Sequence, residues 1–504
     1  MELLFEGEIM DKLAILKEID FGSSVAEQEA EKLNMYFVKT RQWKGVYEDE
    51  IDIVYGPKGA GKSAIYSLIA NSEPDFFQKN IVLQFAENPR GATAFSDLET
   101  DPPPTERSFI NLWKLYLLVL IGEHFQTFGT QTQSGQDVLN SLTNSGLLQE
   151  ERPLKVVLGK VKNYISKYFN PQSFEPTVSF DEKTGTISSV GLKISFNEPT
   201  ESMAKAGVMS VDTLLHKADK ELEASEFKIW FLLDRLDVAF ADSPELEVNA
   251  LRALFKTYLD LIGFENFKIK IFLRSDIWGR ITKGGFREAT HITKHTTIDW
   301  DRSSLLNLII RRFLNNEIIM SYFDIDKEEV LKDIKFQERV FYEIFPRKID
   351  SGRNPDTFDW ILGRTKDSQG FSAPRDIINL INGAISSQIK SFEIGEDLTD
   401  GKALFNRASL KKGLSFASNE KVEKYLFAEY PNLRKYFEML RGEKSKQSLS
   451  SLSRLWQCSE SDAEKIGDEI AMTGFWKKEK KEKPTYWIQF IFRDALGIIQ
   501  GTAE

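Results

Sequence analysis

Cysteine is nearly absent. Cys458 is the only one in 504 residues, which excludes an intrachain disulfide and a zinc site built on cysteines. That usage fits a reducing compartment. Histidine is scarce as well, with four in the chain, His124, His216, His291 and His295. His291 and His295 stand four apart, but the Thr-rich stretch between them does not read as helix. Both are expected in a loop, and a His-based metal site is not expected. No run reaches the roughly 18 uninterrupted apolar residues that a transmembrane helix requires. The N-terminus carries Glu2, Glu6 and Glu8, which no secretory leader would. A soluble, cytoplasmic protein with no membrane association is expected. An excess of positive charge is also missing. The formal net charge is -10, which argues against coating nucleic acid along the whole length and leaves room for a local basic patch. Methionine is sparse and phenylalanine is not, at 8 against 37, so aromatic-rich cores are expected.

What is present begins with residues 56–63, Gly56-Pro57-Lys58-Gly59-Ala60-Gly61-Lys62-Ser63. This is a complete G-x-x-x-x-G-K-[ST] phosphate-binding loop. A short β-like run from Ile51 precedes it and a helix-like run from Ala64 follows, the context the motif needs. Gly56, Gly59 and Gly61 allow a tight turn whose backbone N–H groups close around phosphate oxygens. Lys62 would reach the β- and γ-phosphates of ATP, and Ser63 would offer its hydroxyl to Mg²⁺. The helix that follows points its N-terminus at the anion.

A second half of such a site is legible downstream. The apolar run Ile229-Trp230-Phe231-Leu232-Leu233 reads as a strand buried on both faces and ends in Asp234-Arg235-Leu236-Asp237. Asp234 would organise Mg²⁺ together with Ser63, and Asp237 could polarise the attacking water. Ile269–Leu273 is another buried-type strand, ending in Arg274, a cation placed to face the γ-phosphate. Pro374 suits the first turn of an apolar helix over 377–385, and Arg375 beside it could reach back over the nucleotide.

Between these motifs, Ile81–Phe85 reads as a core strand, 89–106 as a loop, 108–125 as an apolar helix and 245–262 as another. Strands alternating with helices predict a parallel sheet with helices on both faces. The stretch 128–225 looks like an insertion, with a β-hairpin expected from Thr177–Phe180 and Leu192–Phe196 and a helix over 211–224. The clearest piece of a helix-rich N-terminus is Val25–Met35. From Ser303 to about 440 the chain reads as helix, least clearly over 385–397 and 413–419. A single helix is expected over Ser303–Phe323, with Arg311 and Arg312 exposed opposite its apolar stripe. Residues 441–504 are close to charge-neutral. They give a helix from Leu449, a second over Ser459–Thr473, the lysine-rich stretch Lys477–Lys483 and a strand over Tyr486–Phe490. That is a winged-helix pattern, although Asp462, Glu464, Asp468 and Glu469 on the second helix oppose phosphate contact. The expected division is an ATPase core over 1–300, a helical lid over 301–440 and a winged-helix-like domain over 441–504.

Together these pieces resemble the AAA+/STAND branch of P-loop ATPases, over roughly residues 20–385. The strings Gly-Pro-Lys-Gly-Ala-Gly-Lys-Ser, Leu-Leu-Asp-Arg-Leu-Asp and Phe-Leu-Arg-Ser-Asp-Ile look like those of bacterial members found in anti-phage defence loci. NACHT and KAP proteins carry an aspartate pair spaced as Asp234 and Asp237 are. The resemblance implies that Arg274 and Arg375 act as the two sensors of the γ-phosphate. Arg235 stands where many AAA+ proteins have a catalytic glutamate, which implies slow hydrolysis. The reading is a switch ATPase that oligomerises or pairs with a defence effector or sensor protein. The alternative is a DNA-binding remodeller or initiator-like ATPase that uses the winged helix.

Overall fold

A computed structural model describes residues 12–25, 29–85, 106–148, 194–205, 207–236, 244–283, 285–479 and 484–503. The chain divides into two compact units. One comprises Met1–Lys39, Lys58–Ala64 and Asp299–Glu504, the other Thr40–Pro57 and Ile65–Ile298. Among the described residues no helix is long and apolar enough to cross a membrane.

The second unit holds β1 (Ile53–Gly56), β2 (Ile81–Phe85), the short β3 (Ile194–Ser195) and β4 (Met209–Ser210), β5 (Lys228–Leu233), β6 (Phe267–Arg274) and β7 (His295–Thr297). Its main sheet is parallel in the order β2-β5-β6-β1-β7. The strand that feeds the phosphate-binding loop therefore lies inside the sheet, between β6 and β7. Strand alternation sends side chains to opposite faces, and both faces are covered. Ile53, Ile229, Phe231, Ile269 and Ile271 join one core with the helices Glu106–Phe128, Val211–Ala224 and Pro244–Leu261. On the other face Trp230 meets Phe76, and Phe272 meets Tyr66, from the helices Glu73–Phe77 and Lys62–Asn71. Burial on both sides is why β1 and β5 read as apolar runs without polar alternation.

Central β6 carries a charged residue into this interior. Lys270 is fully buried, and its ammonium donates to Asp49 at 2.6 Å, Asp52 at 2.7 Å and the Ile51 carbonyl at 3.0 Å. All three of its N–H groups are thus used. The Tyr258 hydroxyl adds a hydrogen bond to Asp52, and the Trp230 ring lies 4.5 Å from the ammonium.

In the first unit, helices from Arg302 to Lys421 and the C-terminal segment share one apolar core. The C-terminal segment contains β8 (Lys444–Ser448), helices Leu449–Trp456 and Glu460–Met472, β9 (Trp476–Glu479), β10 (Thr485–Ile488) and β11 (Ile499–Thr502). Its sheet order is β11-β8-β10-β9. Helix, helix and hairpin form a winged helix. It packs on its neighbours through the Arg364 guanidinium, 3.7 Å from the Phe490 ring, and through Tyr425, whose hydroxyl donates to Thr473 O at 3.2 Å. The fold class is thus a P-loop parallel sheet with helices on both faces, followed by helices and a C-terminal winged helix.

Several local expectations are corrected. β3 pairs in parallel with β4, so Ile194–Ser195 is no arm of a hairpin; the other expected arm, 177–180, lies outside the described residues, as does 89–105. The polar stretch at 130–136 leads into an amphipathic helix, Gln133–Asn144, capped by the Thr132 hydroxyl. His295 is not in a loop. It opens β7, an exposed edge strand held by pairing to β1. Three residues are too short to show a period. The expected helix 303–323 is two helices, Arg302–Phe313 and Glu317–Phe323. Asn316 separates them, its amide donating to the open carbonyls of Arg312 and Phe313 at 2.9 and 3.2 Å. Helix is continuous over Pro374–Glu393 and Arg407–Lys421, so the indistinct stretch 413–419 is helix, while 385–397 is helix only as far as Glu393. Phe490 leaves β10 and starts a short 3-10 turn.

Candidate nucleotide site

Three strands of the main sheet, β1, β5 and β6, carry candidate site residues at their C-terminal ends. β1 ends at Gly56, whose register partner on β6 is Arg274. β5 ends at Leu233, paired with Ile271, and Asp234 follows directly. Asp234 is 5% exposed. Arg235 after it is exposed and takes a left-handed backbone, φ 55°, an uncommon conformation for a residue with a side chain. The position that would carry a glutamate in the resembling family thus turns its cation outward. Asp237 lies outside the described residues. Arg274 is engaged close by: Nε and Nη2 donate to the Asp276 carboxylate at 3.1 and 2.8 Å. Burial pushes the Asp276 carboxyl up, but the hydrogen bond and charge of Arg274 outweigh it and leave the carboxyl below its ordinary range.

Most of the phosphate-binding loop, Lys58–Ser63, belongs to the first unit, while Gly56 and Pro57 belong to the second. Gly59 and Gly61 have φ of 83° and 101°, conformations that glycine alone adopts at low strain. A Cβ on Gly59 would come within 3.1 Å of the Arg375 Cβ, so the loop lies against the start of the helix Pro374–Glu393. A Cβ on Gly61 would meet only Ala64, at 4.0 Å. Among the described residues the loop is therefore braced at Gly59 and open at Gly61. Two side chains brace it further. Trp300 Nε1 donates to the Ala60 carbonyl at 2.8 Å, and the Lys58 ammonium pairs with the Glu429 carboxylate. Lys62 is 9% exposed and begins the following helix, with Ser63 next to it. Arg375 Nε donates to the Ser24 carbonyl at 3.2 Å. A cavity of about 100 Å³ lies among Ser24, Lys58, Arg375, Asn379, Lys421 and Tyr425.

The donor set fits a nucleotide with its magnesium. The loop offers a glycine cradle with a lysine and a hydroxyl at the head of a helix, which suit the phosphates; the second unit offers a buried carboxylate, Asp234, directly after β5, a ligand type that suits the metal.

Sequence reasoning missed Trp300 and Glu429, which carry no motif and are set by long-range packing. It also misjudged Arg312. That residue is buried, with Nη1 donating to Phe21 O at 2.7 Å and Nη2 to Glu29 at 3.0 Å. Arg311 is partly buried and donates to Asn307 at 2.7 Å. A helical period sees one face of one helix and cannot see a carboxylate arriving from a distant segment.

No family model matches the chain, and no curated protein matches it. Solved structures that resemble it include the Aeropyrum pernix ORC1 protein in complex with DNA, at 10% identity and TM-score 0.34, over 89% of this chain and 86% of that one. CDC6p from Pyrobaculum aerophilum follows at 10% identity and TM-score 0.31, over 92% and 93%. The Aeropyrum pernix ORC2 protein in ADPNP–ADP complexes gives 10% identity and TM-score 0.30, over 94% and 95%. At these scores the likenesses carry no argument, and the reading that follows rests on the strands and side chains described above.

Proposed function

We propose that this chain is an AAA+-type ATPase that binds ATP·Mg²⁺ at Gly56–Ser63 and couples the bound nucleotide to a DNA partner through its winged helix, the remodelling or initiator-like reading. The observation that carries it is the bracing of the phosphate loop. Lys58–Ala64 shares a compact unit with the winged helix, and Lys58 and Gly59 lie against Glu429 and Arg375 of the intervening helices. A change in the loop on nucleotide binding therefore has a direct mechanical route to the C-terminal segment.

In this reading the triphosphate supplies the cleavable β–γ bond. The loop N–H groups and Lys62 hold the phosphates, and Ser63 and Asp234 supply protein oxygens to Mg²⁺. Asp237 orients the water. Arg274 exchanges Asp276 for the γ-phosphate, and Arg375 exchanges the Ser24 carbonyl for it. With Arg235 in place of a glutamate, turnover is slow. The proposed functional division is a core over 1–300, helices over 301–440 and a winged helix over 441–504; the compact units cut the chain differently, grouping Met1–Lys39 and Lys58–Ala64 with Asp299–Glu504.

Turnover of ATP, with and without duplex and single-stranded DNA, tests this in wild type and Lys62→Ala. Turnover that Lys62→Ala abolishes and DNA alters is expected. Turnover indifferent to Lys62→Ala removes the site assignment.

A second reading, a switch that oligomerises or binds a partner protein such as a defence effector, is favoured by one observation. The exposed face of the helix Glu460–Met472 carries Glu460, Asp462, Asp468 and Glu469. An ATP-dependent mass increase by light scattering, with no response to DNA, would select it.

A further inference from the structure

The lysines of the winged helix are divided between its two faces. Lys478 pairs across the hairpin with Tyr486, on the face that looks toward the helix Glu460–Met472. There its ammonium meets Glu464 at 3.0 Å and Asp468 at 2.6 Å. That lysine is spent on the helix carboxylates. The next residue on each strand points the other way. On that outer face Trp487 of β10 stands directly between Lys446 of β8 and Lys477 of β9. Lys444, two residues from Lys446, shares the face and is exposed, as is Lys477. Trp487 and Phe490 are partly exposed and meet edge to face at 5.2 Å.

The rings are held in place from behind. Arg493 donates through Nε and Nη2 to Ile488 O at 2.9 and 2.6 Å. Its guanidinium lies 4.5 Å from the Trp487 ring and 4.0 Å from the Phe490 ring. Arg364 covers Phe490 from another side. One outer-face carboxylate, Glu479, is matched by Lys446 at 2.8 Å. Lys444 and Lys477 make no ion pair among the described residues.

We propose that this outer sheet face, with Trp487 at its centre, binds single-stranded nucleic acid, and that the acidic helix Glu460–Met472 does not. A fixed, partly exposed ring flanked by cations is what a base and its two neighbouring phosphates require: the base stacks and the lysines take the backbone. The duplex offers no free base face to a flat sheet. The proposal rests on the nucleic-acid arm of the function proposed above and names the surface that serves it.

The test uses the full chain and a fluorescein-labelled oligothymidylate, with a mixed-sequence duplex as comparison. Salt-sensitive binding of the single strand is expected, with the duplex weaker. Trp487→Ala should weaken it about tenfold, the loss of one stacked base, and Trp487→Tyr should restore most of it. Lys444→Glu with Lys477→Glu should weaken it further and lower the slope of log K against log salt by about 1.4, roughly 0.7 for each lost phosphate contact. Glu464→Gln should not weaken it. ATP turnover measured on the same proteins separates the two readings. Intact turnover with no oligonucleotide binding overturns this proposal alone. Oligonucleotide binding without turnover overturns the ATPase reading alone. Equal or tighter duplex binding, or binding unmoved by Trp487→Ala, overturns the proposal. Capture of an acidic protein on this face without nucleic-acid binding does so too.

Discussion

The indole Nε1–H of Trp300 donates to the carbonyl of Ala60 across 2.8 Å. A phosphate loop works by turning its N–H groups inward, so its carbonyls must be satisfied outside. Trp300 does this for Ala60, which is fully buried. Trp300→Phe keeps the ring and removes the donor. ATP affinity is expected to fall about fivefold, the worth of one hydrogen bond near 1 kcal/mol. Titration of wild type and variant with a fluorescent ATP analogue checks it, and equal affinities would refute the bracing role.

Lys58 and Glu429 make a different prediction, because their ion pair places a carboxylate beside the loop. Their side chains are 26% and 23% exposed, so solvent screens the pair only in part. Lys58→Ala leaves Glu429 uncompensated near the phosphates and should weaken ATP binding. Glu429→Ala should tighten it a few fold by releasing Lys58. The double variant should fall between them, and a double-mutant cycle reads the coupling. Additive effects would mean that the pair does not communicate with the nucleotide.

Parts of this molecule that rest on local pattern were legible in the sequence. The loop Gly56–Ser63, the buried run of β5 with Asp234 at its end, and the strand ending in Arg274 all depend on residues within a few positions of one another. β7 did not show, because its three residues, two of them exposed, are a strand only through β1. The parallel pairing of Ile194–Ser195 with Met209–Ser210 was hidden for the same reason. Arg312 read as a surface cation because its partner Glu29 is brought to it by the fold. Trp300 and Glu429 look like any tryptophan and any glutamate until the packing sets them against the loop.

Lys270 bears the largest stability prediction. Its charge, buried in β6, is balanced by Asp52 and Asp49. Lys270→Met leaves Asp52 buried with only Tyr258 as a donor, and should destabilise the protein by about 3–5 kcal/mol. Adding Asp52→Asn should recover part of the loss, since the orphaned charge is then gone. Urea unfolding of the single and double variants measures both. A cost below about 1 kcal/mol for Lys270→Met would show that the cluster is solvated.

His124 gives stability a pH dependence with a defined sign. Its ring lies 4.6 Å from Phe128 and 5.6 Å from Phe227, and its Nδ1 has no hydrogen-bond partner among the described residues. Burial among these rings disfavours the imidazolium and lowers the imidazole from 6.5 to about 4. The unfolded chain therefore takes up a proton near its ordinary value, while the folded chain refuses it until about 4. Stability tied to this residue is complete at neutral pH. It falls as pH drops through the unfolded value and stops falling below about 4. The full span is roughly 3 kcal/mol. Other groups titrate in the same range, so the informative quantity is the difference between wild type and His124→Phe. Phe keeps an apolar ring and removes the proton acceptor. That difference, from urea unfolding at several pH values, should shift in favour of the variant as the solution is acidified. A difference that stays constant from neutral pH down to about 4 would mean that the folded protein accepts the proton as readily as the unfolded chain, and that the pocket around His124 opens to water.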